Sequence, residues 1–88
     1  MDTDEINIRI IDHREGILDY QVTKEKEDEI KSFLSQYVEP TELFTKSIEE
    51  EIIKVVIGNL TYKISRELWK IIKSELIKRL QNTRKIPE

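Results

Sequence analysis

Apolar and polar residues alternate from Ile6 onward. Ile6, Ile8 and Ile10 fall on one face and Asn7 and Arg9 on the other, the period-two pattern of a half-buried strand. The polar run Asp12-His13-Arg14-Glu15 ends in Gly16, which suits a hairpin loop needing one residue at positive φ. A second strand follows, with Leu18, Tyr20 and Val22 inward and Asp19 and Gln21 outward. Thr23 then caps a helix whose first turn carries Glu25 and Glu27, which suits the helix dipole. Ile30, Phe33, Leu34, Tyr37 and Val38 recur at i, i+3, i+4, i+7 and i+8, a single apolar stripe, and Pro40 is the stop.

Residues 39–51 read as a connection held to the core by Leu43, Phe44 and Ile48, with a short helical turn in PTELF capped by Thr41. Alternation then resumes. Ile53, Val55 and Ile57 oppose Lys54 and Val56, and Gly58-Asn59 is a two-residue turn whose leading glycine favours type II′. Leu60, Tyr62 and Ile64 point inward opposite Thr61 and Lys63, and Ser65 caps a last helix running from Arg66 to about Gln81.

The second set of elements echoes the first. LDYQVTKEKEDEIKSFLSQYV, residues 18–38, lines up without a gap on LTYKISRELWKIIKSELIKRL, residues 60–80, at an offset of 42. Leu18/Leu60, Tyr20/Tyr62, Glu25/Glu67, Ile30/Ile72, Lys31/Lys73, Ser32/Ser74 and Leu34/Leu76 are identical, and Gly16 falls on Gly58. A match that keeps aromatic, hydroxyl and apolar positions in phase over a supersecondary unit reads as an internal repeat. The expected fold is therefore α+β: a duplicated ββα-ββα unit forming a four-stranded antiparallel sheet with two helices on one face, related by a pseudo-two-fold axis. Residues 5–38 should superpose on 47–80, with Tyr20 over Tyr62. The chain reads as a single domain over 1–88, with repeat one at about 5–38, repeat two at about 52–81 and a frayed tail at 82–88.

Composition narrows the classes of function. The chain has 88 residues, no cysteine and two glycines, so disulfides, Cys-ligated metals and a phosphate-cradling glycine loop are not expected. The acidic start MDTDE does not resemble a secretory leader, and apolar runs are broken by charge well short of a membrane span, so a cytoplasmic location with no membrane partner is expected. The net charge of −3 conceals a split: residues 1–51 hold 15 acidic and 6 basic side chains, whereas residues 52–88 hold 3 acidic and 9 basic. Such asymmetry points to an anionic partner for the basic half or to self-association.

Chemistry-bearing residues do not converge. His13, the single histidine, has only Asp12 and Glu15 near in sequence, whereas a general base or metal ligand needs converging partners. Glu49-Glu50-Glu51 leads into a strand, where neighbours point to opposite faces. The serines lack a histidine to activate them. These readings argue against an enzyme and predict no cofactor, no metal and no small-molecule substrate.

The two helices differ in a more informative way. At the repeat offset, Glu27 becomes Trp69, Asp28 becomes Lys70, Glu29 becomes Ile71 and Ser35 becomes Ile77. Leu68, Ile72, Leu76 and Leu80 form the expected core ridge of the last helix, with Trp69 at its margin, Ile77 beyond it and Ile71 nearly opposite. A wide apolar arc with basic neighbours suits a protein interface, so Trp69, Ile71 and Ile77 are candidate partner-binding residues. For Trp69 the competing assignment is intramolecular, packed on Phe44 or Ile48. Ile11, Ile52 and Val56, on the outer sheet face, offer a second surface for dimerisation. The expected function is a non-enzymatic interaction protein, an accessory subunit docking on a larger complex or on itself through its second helix. The alternative is nucleic-acid binding through Arg66, Lys70, Lys73, Lys78 and Arg79, with Arg84 and Lys85 beyond them, against which Glu67 and Glu75 interrupt the basic face.

Overall fold

In the computed structural model, residues 5–42 and 50–81 are described. Four antiparallel strands and two helices build an α+β fold: β1 (Glu5–Asp12), β2 (Gly16–Thr23), α1 (Lys24–Ser35), β3 (Ile52–Ile57), β4 (Leu60–Ser65) and α2 (Arg66–Gln81). The strands lie in one sheet in the order β2-β1-β3-β4, so the first strand of each hairpin is central and the second lies at an edge. α1 packs on β2 and β1, α2 packs on β4 and β3, and the helices touch each other. Alternate residues of the strands (Ile8, Ile10, Val22, Ile53, Val55, Ile57, Tyr62 and Ile64) meet Ile30, Phe33, Leu34, Trp69, Ile72, Leu76 and Leu80 in one buried cluster. Both caps form as the sequence predicts: the Thr23 hydroxyl accepts from the Lys26 N–H and the Ser65 hydroxyl from the Leu68 N–H, each at 3.2 Å.

α1 ends at Ser35, well before Pro40, where the Gln36 and Tyr37 N–H groups tighten the last turn with i→i−3 bonds to the Phe33 and Leu34 carbonyls at 3.3 and 2.9 Å. The expected stripe is thereby cut short: Val38 is half-buried on the core and Tyr37 is exposed. The chain next meets β4, where Thr41 and Thr61 exchange two backbone hydrogen bonds of 2.9 and 2.8 Å. Thr61, assigned above to solvent, is buried beside this added rung, and Lys54 on the same face is buried too. Leu43, Phe44, Ile48 and the tail lie outside the described residues.

At the offset of 42, β2 and α1 fall on β4 and α2 in the sequence, whereas β1 falls on 47–54 and not on β3. Tyr20 faces Ile8 across the first hairpin and Tyr62 faces Val55 across the second. The tyrosines are 42 positions apart, but Val55 follows Ile8 by 47, so β1 matches 52–57 and not 47–54. The five extra residues sit in the first hairpin. It continues past Ile10↔Leu18 through Ile11↔Ile17 and Asp12↔Gly16, whereas the second stops at Ile57↔Leu60. Gly16 (φ 113) and Gly58 (φ 61) both use positive φ, and Asn59 does not, which makes the second turn type II′.

Candidate functional site

Trp69 is the clearest correction to the sequence reading. It is 4% exposed and belongs to the core, so it is not available to a partner. The reason lies in the long first hairpin. Trp69 shares a cleft with Ile10, Asp12, Gly16 and Leu18, so the first turn of α2 covers the end of that hairpin. The buried ridge of α2 is accordingly Trp69, Ile72, Leu76 and Leu80, while Leu68 is only partly buried. Ile71 is 74% exposed, on a face shared with Glu67, Ser74, Glu75 and Lys78. A lone exposed isoleucine among charges is ordinary surface. Ile77 is half-buried and lines a shallow groove with Lys70, Lys73, Ser74, Lys78 and Gln81. Ile52 and Val56 are half-buried on the outer sheet face, Val56 flooring an open groove beside Arg9, Ile11, Glu42 and Thr61.

The basic set splits in two. Arg66 is consumed internally. Its Nη1 and Nη2 donate to Asp12 Oδ2 and Oδ1 at 3.1 and 2.9 Å, its Nε donates to the Glu50 carbonyl at 3.0 Å, and Nη2 also reaches that carbonyl. Asp12 Oδ1 further accepts the N–H groups of Arg14 (2.9 Å) and Glu15 (3.4 Å), so one carboxylate joins the first hairpin loop to the start of α2. These bonds, the Arg66 pair above all, hold the Asp12 pKa down to about 2 from an ordinary 3.8.

Arg79 is likewise an internal clamp between the helices. Its Nη1 donates to Glu29 Oε2 at 2.7 Å and its guanidinium lies 4.8 Å from the Phe33 ring centroid. Nε comes within 3.1 Å of Glu75 Oε2 without the alignment of a hydrogen bond. Glu29, which also accepts from Lys26, has its pKa lowered, by Lys26 first and by Arg79 after it. Lys70, Lys73 and Lys78 remain at the surface, with Lys73 Nζ 3.7 Å from Glu15. Two of the five residues proposed for nucleic acid thus spend their charge on the fold.

The two sheet edges are unequal. β4 is capped by Thr41 and carries Lys63. On β2, no described residue pairs with the outer side, and six of its eight residues are exposed. Ile17 is 57% and Leu18 45% exposed. The strand contains neither lysine nor proline, the usual guards of an edge. Its one charge, Asp19, is taken by its neighbours in β1: Arg9 Nε donates to Oδ1 at 2.8 Å and Asn7 Nδ2 at 3.4 Å, and the Arg9 bond in particular lowers the Asp19 pKa. The sequence signal was present in GILDYQVT. Reading it required knowing that β2 lies at an edge.

His13 is exposed, and Glu50 and Glu51 pair with Arg14 at 3.8 and 2.6 Å. Among the described residues, no three His, Cys, Asp or Glu side chains come together as metal ligands would. No helix among them is long and apolar enough to cross a membrane. No family model matches the chain, and neither the curated proteins nor the solved structures contain a match.

Proposed function

We propose that this chain is a non-enzymatic interaction protein whose docking site is the free edge of β2. The observation that carries the reading is the inequality of the edges: β4 is closed by Thr41, while no described residue pairs with the outer side of β2, an eight-residue strand that exposes Ile17 and Leu18. An open strand recruits protein by strand addition, in which main-chain hydrogen bonds give affinity and alternate side chains give selectivity. The helix surface around Ile71 and Ile77 ranks second, because Trp69 no longer contributes to it. Among the described residues, nucleic-acid binding retains Lys70, Lys73 and Lys78 of its basic set, interrupted by Glu67 and Glu75.

The same reading takes the architecture as a duplicated ββα unit. The central ladder supports this. Matching Ile8 with Val55 and Ile10 with Ile57 turns the pair Ile8↔Ile57 into Ile10↔Val55, which is also a pair, so a pseudo-two-fold axis would pass through Arg9↔Val56. On this view the docking edge arose where the copies diverged, one edge receiving Thr41 and the other left open.

A tagged chain and its Ile17→Lys, Leu18→Lys variant, used as baits in host extract, test the function. The variant should keep the circular dichroism of the parent and lose the protein that the parent captures. A partner retained by the variant shifts docking to α2, where Ile71→Glu with Ile77→Glu is the next comparison. Neither capture nor self-association by the parent would end the interaction reading.

A further inference from the structure

We infer that the occupant of the β2 edge is β2 of a second copy, paired antiparallel about a two-fold axis at Tyr20 to give one eight-stranded sheet. This rests on the reading of β2 as the docking edge and adds the partner and the register. Directly opposed residues of an antiparallel pair point to the same face, so only registers centred on a residue keep the helices of both copies on one side. Centring on Asp19 would oppose two like charges, and centring on Gln21 would oppose Leu18 with Lys24. With Tyr20 on the axis, Leu18 meets Val22 of the second copy and Tyr20 meets Tyr20 on the helix side. Ile17 then meets Thr23 and Asp19 meets Gln21 on the outer side. Every pair is compatible, and the half-exposed Leu18 and Tyr20 gain cover.

The helices agree with this arrangement. α1 turns Glu29 toward α2 through Arg79, and its opposite flank carries Glu27 and Lys31, bonded to each other at 3.0 Å. In an antiparallel pair of α1 helices, Glu27 of one copy comes opposite Lys31 of the other. The strongly acidic character of the first half does not oppose the contact, because seven of its nine excess negative charges lie in residues 1–5 and 39–51 and not on β2 or α1. Such an isologous contact closes the edge on both copies, so association stops at the dimer.

Gln21 is the register-specific test, being exposed and free to change without touching the core. The parent should run by light scattering at twice its 10.5 kDa chain mass. Gln21→Asp sets Asp19 against a like charge twice per dimer and should raise the dissociation constant about tenfold, while Gln21→Lys should lower it by a similar factor. Circular dichroism of both variants must match the parent. A parent that stays monomeric at hundreds of micromolar overturns self-pairing, and loss of a host partner by Ile17→Lys, Leu18→Lys would then still uphold the docking edge. A dimer that responds equally to Asp and Lys at 21 overturns the Tyr20 register.

Discussion

Removing the Asp12 carboxylate should weaken the fold through one localised tie, and the structure gives the size. The Asp12 side chain is 8% exposed and that of Arg66 13%, and the pair is bidentate. A pKa lowered from 3.8 to about 2 corresponds to ~2 kcal/mol of preferential stabilisation of the charged form, at 1.4 kcal/mol per unit. Solvent at the rim of the sheet reduces this to about 1–2 kcal/mol. Asp12→Asn keeps an oxygen for the Arg14 and Glu15 N–H groups but loses the charge and the second acceptor for Arg66, so it should cost about 1–2 kcal/mol. Asp12→Ala also orphans those turn donors and leaves Arg66 with the Glu50 carbonyl alone as a polar partner at this site, so about 2–4 kcal/mol is expected.

The pH dependence separates charge from packing. The folded pKa lies below the unfolded one, so the contribution is complete above about pH 4 and is lost as pH falls through 2. Urea melts of the parent and of Asp12→Asn, taken at pH 7, 4 and 2.5, should show a gap in stability that narrows on acidification. Asp19 and Glu29, whose pKa values are also lowered, titrate in both proteins and cancel in the difference. A gap under half a kcal/mol at neutral pH, or one that does not change with pH, would refute the account.

Trp69→Glu should unfold the chain or cost about 3–5 kcal/mol, whereas Ile71→Glu should stay within about half a kcal/mol of the parent; thermal melts compare the two directly. Ile30→Ala, Leu34→Ala, Ile72→Ala and Leu76→Ala should each cost about 2–5 kcal/mol in urea melts, since all four positions are in the buried cluster. Arg79→Met should lose about 1–2 kcal/mol through the Glu29 and Phe33 contacts, and little of that should disappear in high salt, because the cation–π part is short-ranged. Charge reversal at Lys70, Lys73 and Lys78 should leave partner capture unchanged, and retention on immobilised DNA or RNA by the parent that this variant loses would revive the nucleic-acid alternative.

The four strands, both helices, both caps and both positive-φ glycines were legible because each depends on a local rule: period two, period 3.6, a hydroxyl at a helix start, a glycine in a turn. What the sequence hid was relational. Nothing in Asp12 or Arg66 announces that residues so far apart in sequence form a bidentate pair, nor in Arg79 that Phe33 lies beneath it. Strand order hid the docking edge in the same way, since GILDYQVT has the same pattern at the centre of a sheet as at its edge.

Trp69 shows how a sound comparison can mislead when the units compared are not the same length. Its substitution for Glu27 suggested a group that the shared fold did not need and that a partner must therefore cover. A partner is required only if both helices face equal hairpins. They do not: the first hairpin runs two pairs further, through Ile11↔Ile17 and Asp12↔Gly16, and Asp12 and Gly16 of that extension line a cleft with Trp69. In α1, Glu27 pairs with Lys31 on its own helix. The tryptophan is the counterpart of the longer hairpin, an apolar group covered from within the chain. The open β2 edge has no such cover among the described residues. That difference, between an apolar group with an internal partner and a backbone edge without one, is why the edge and not the helix carries the functional proposal.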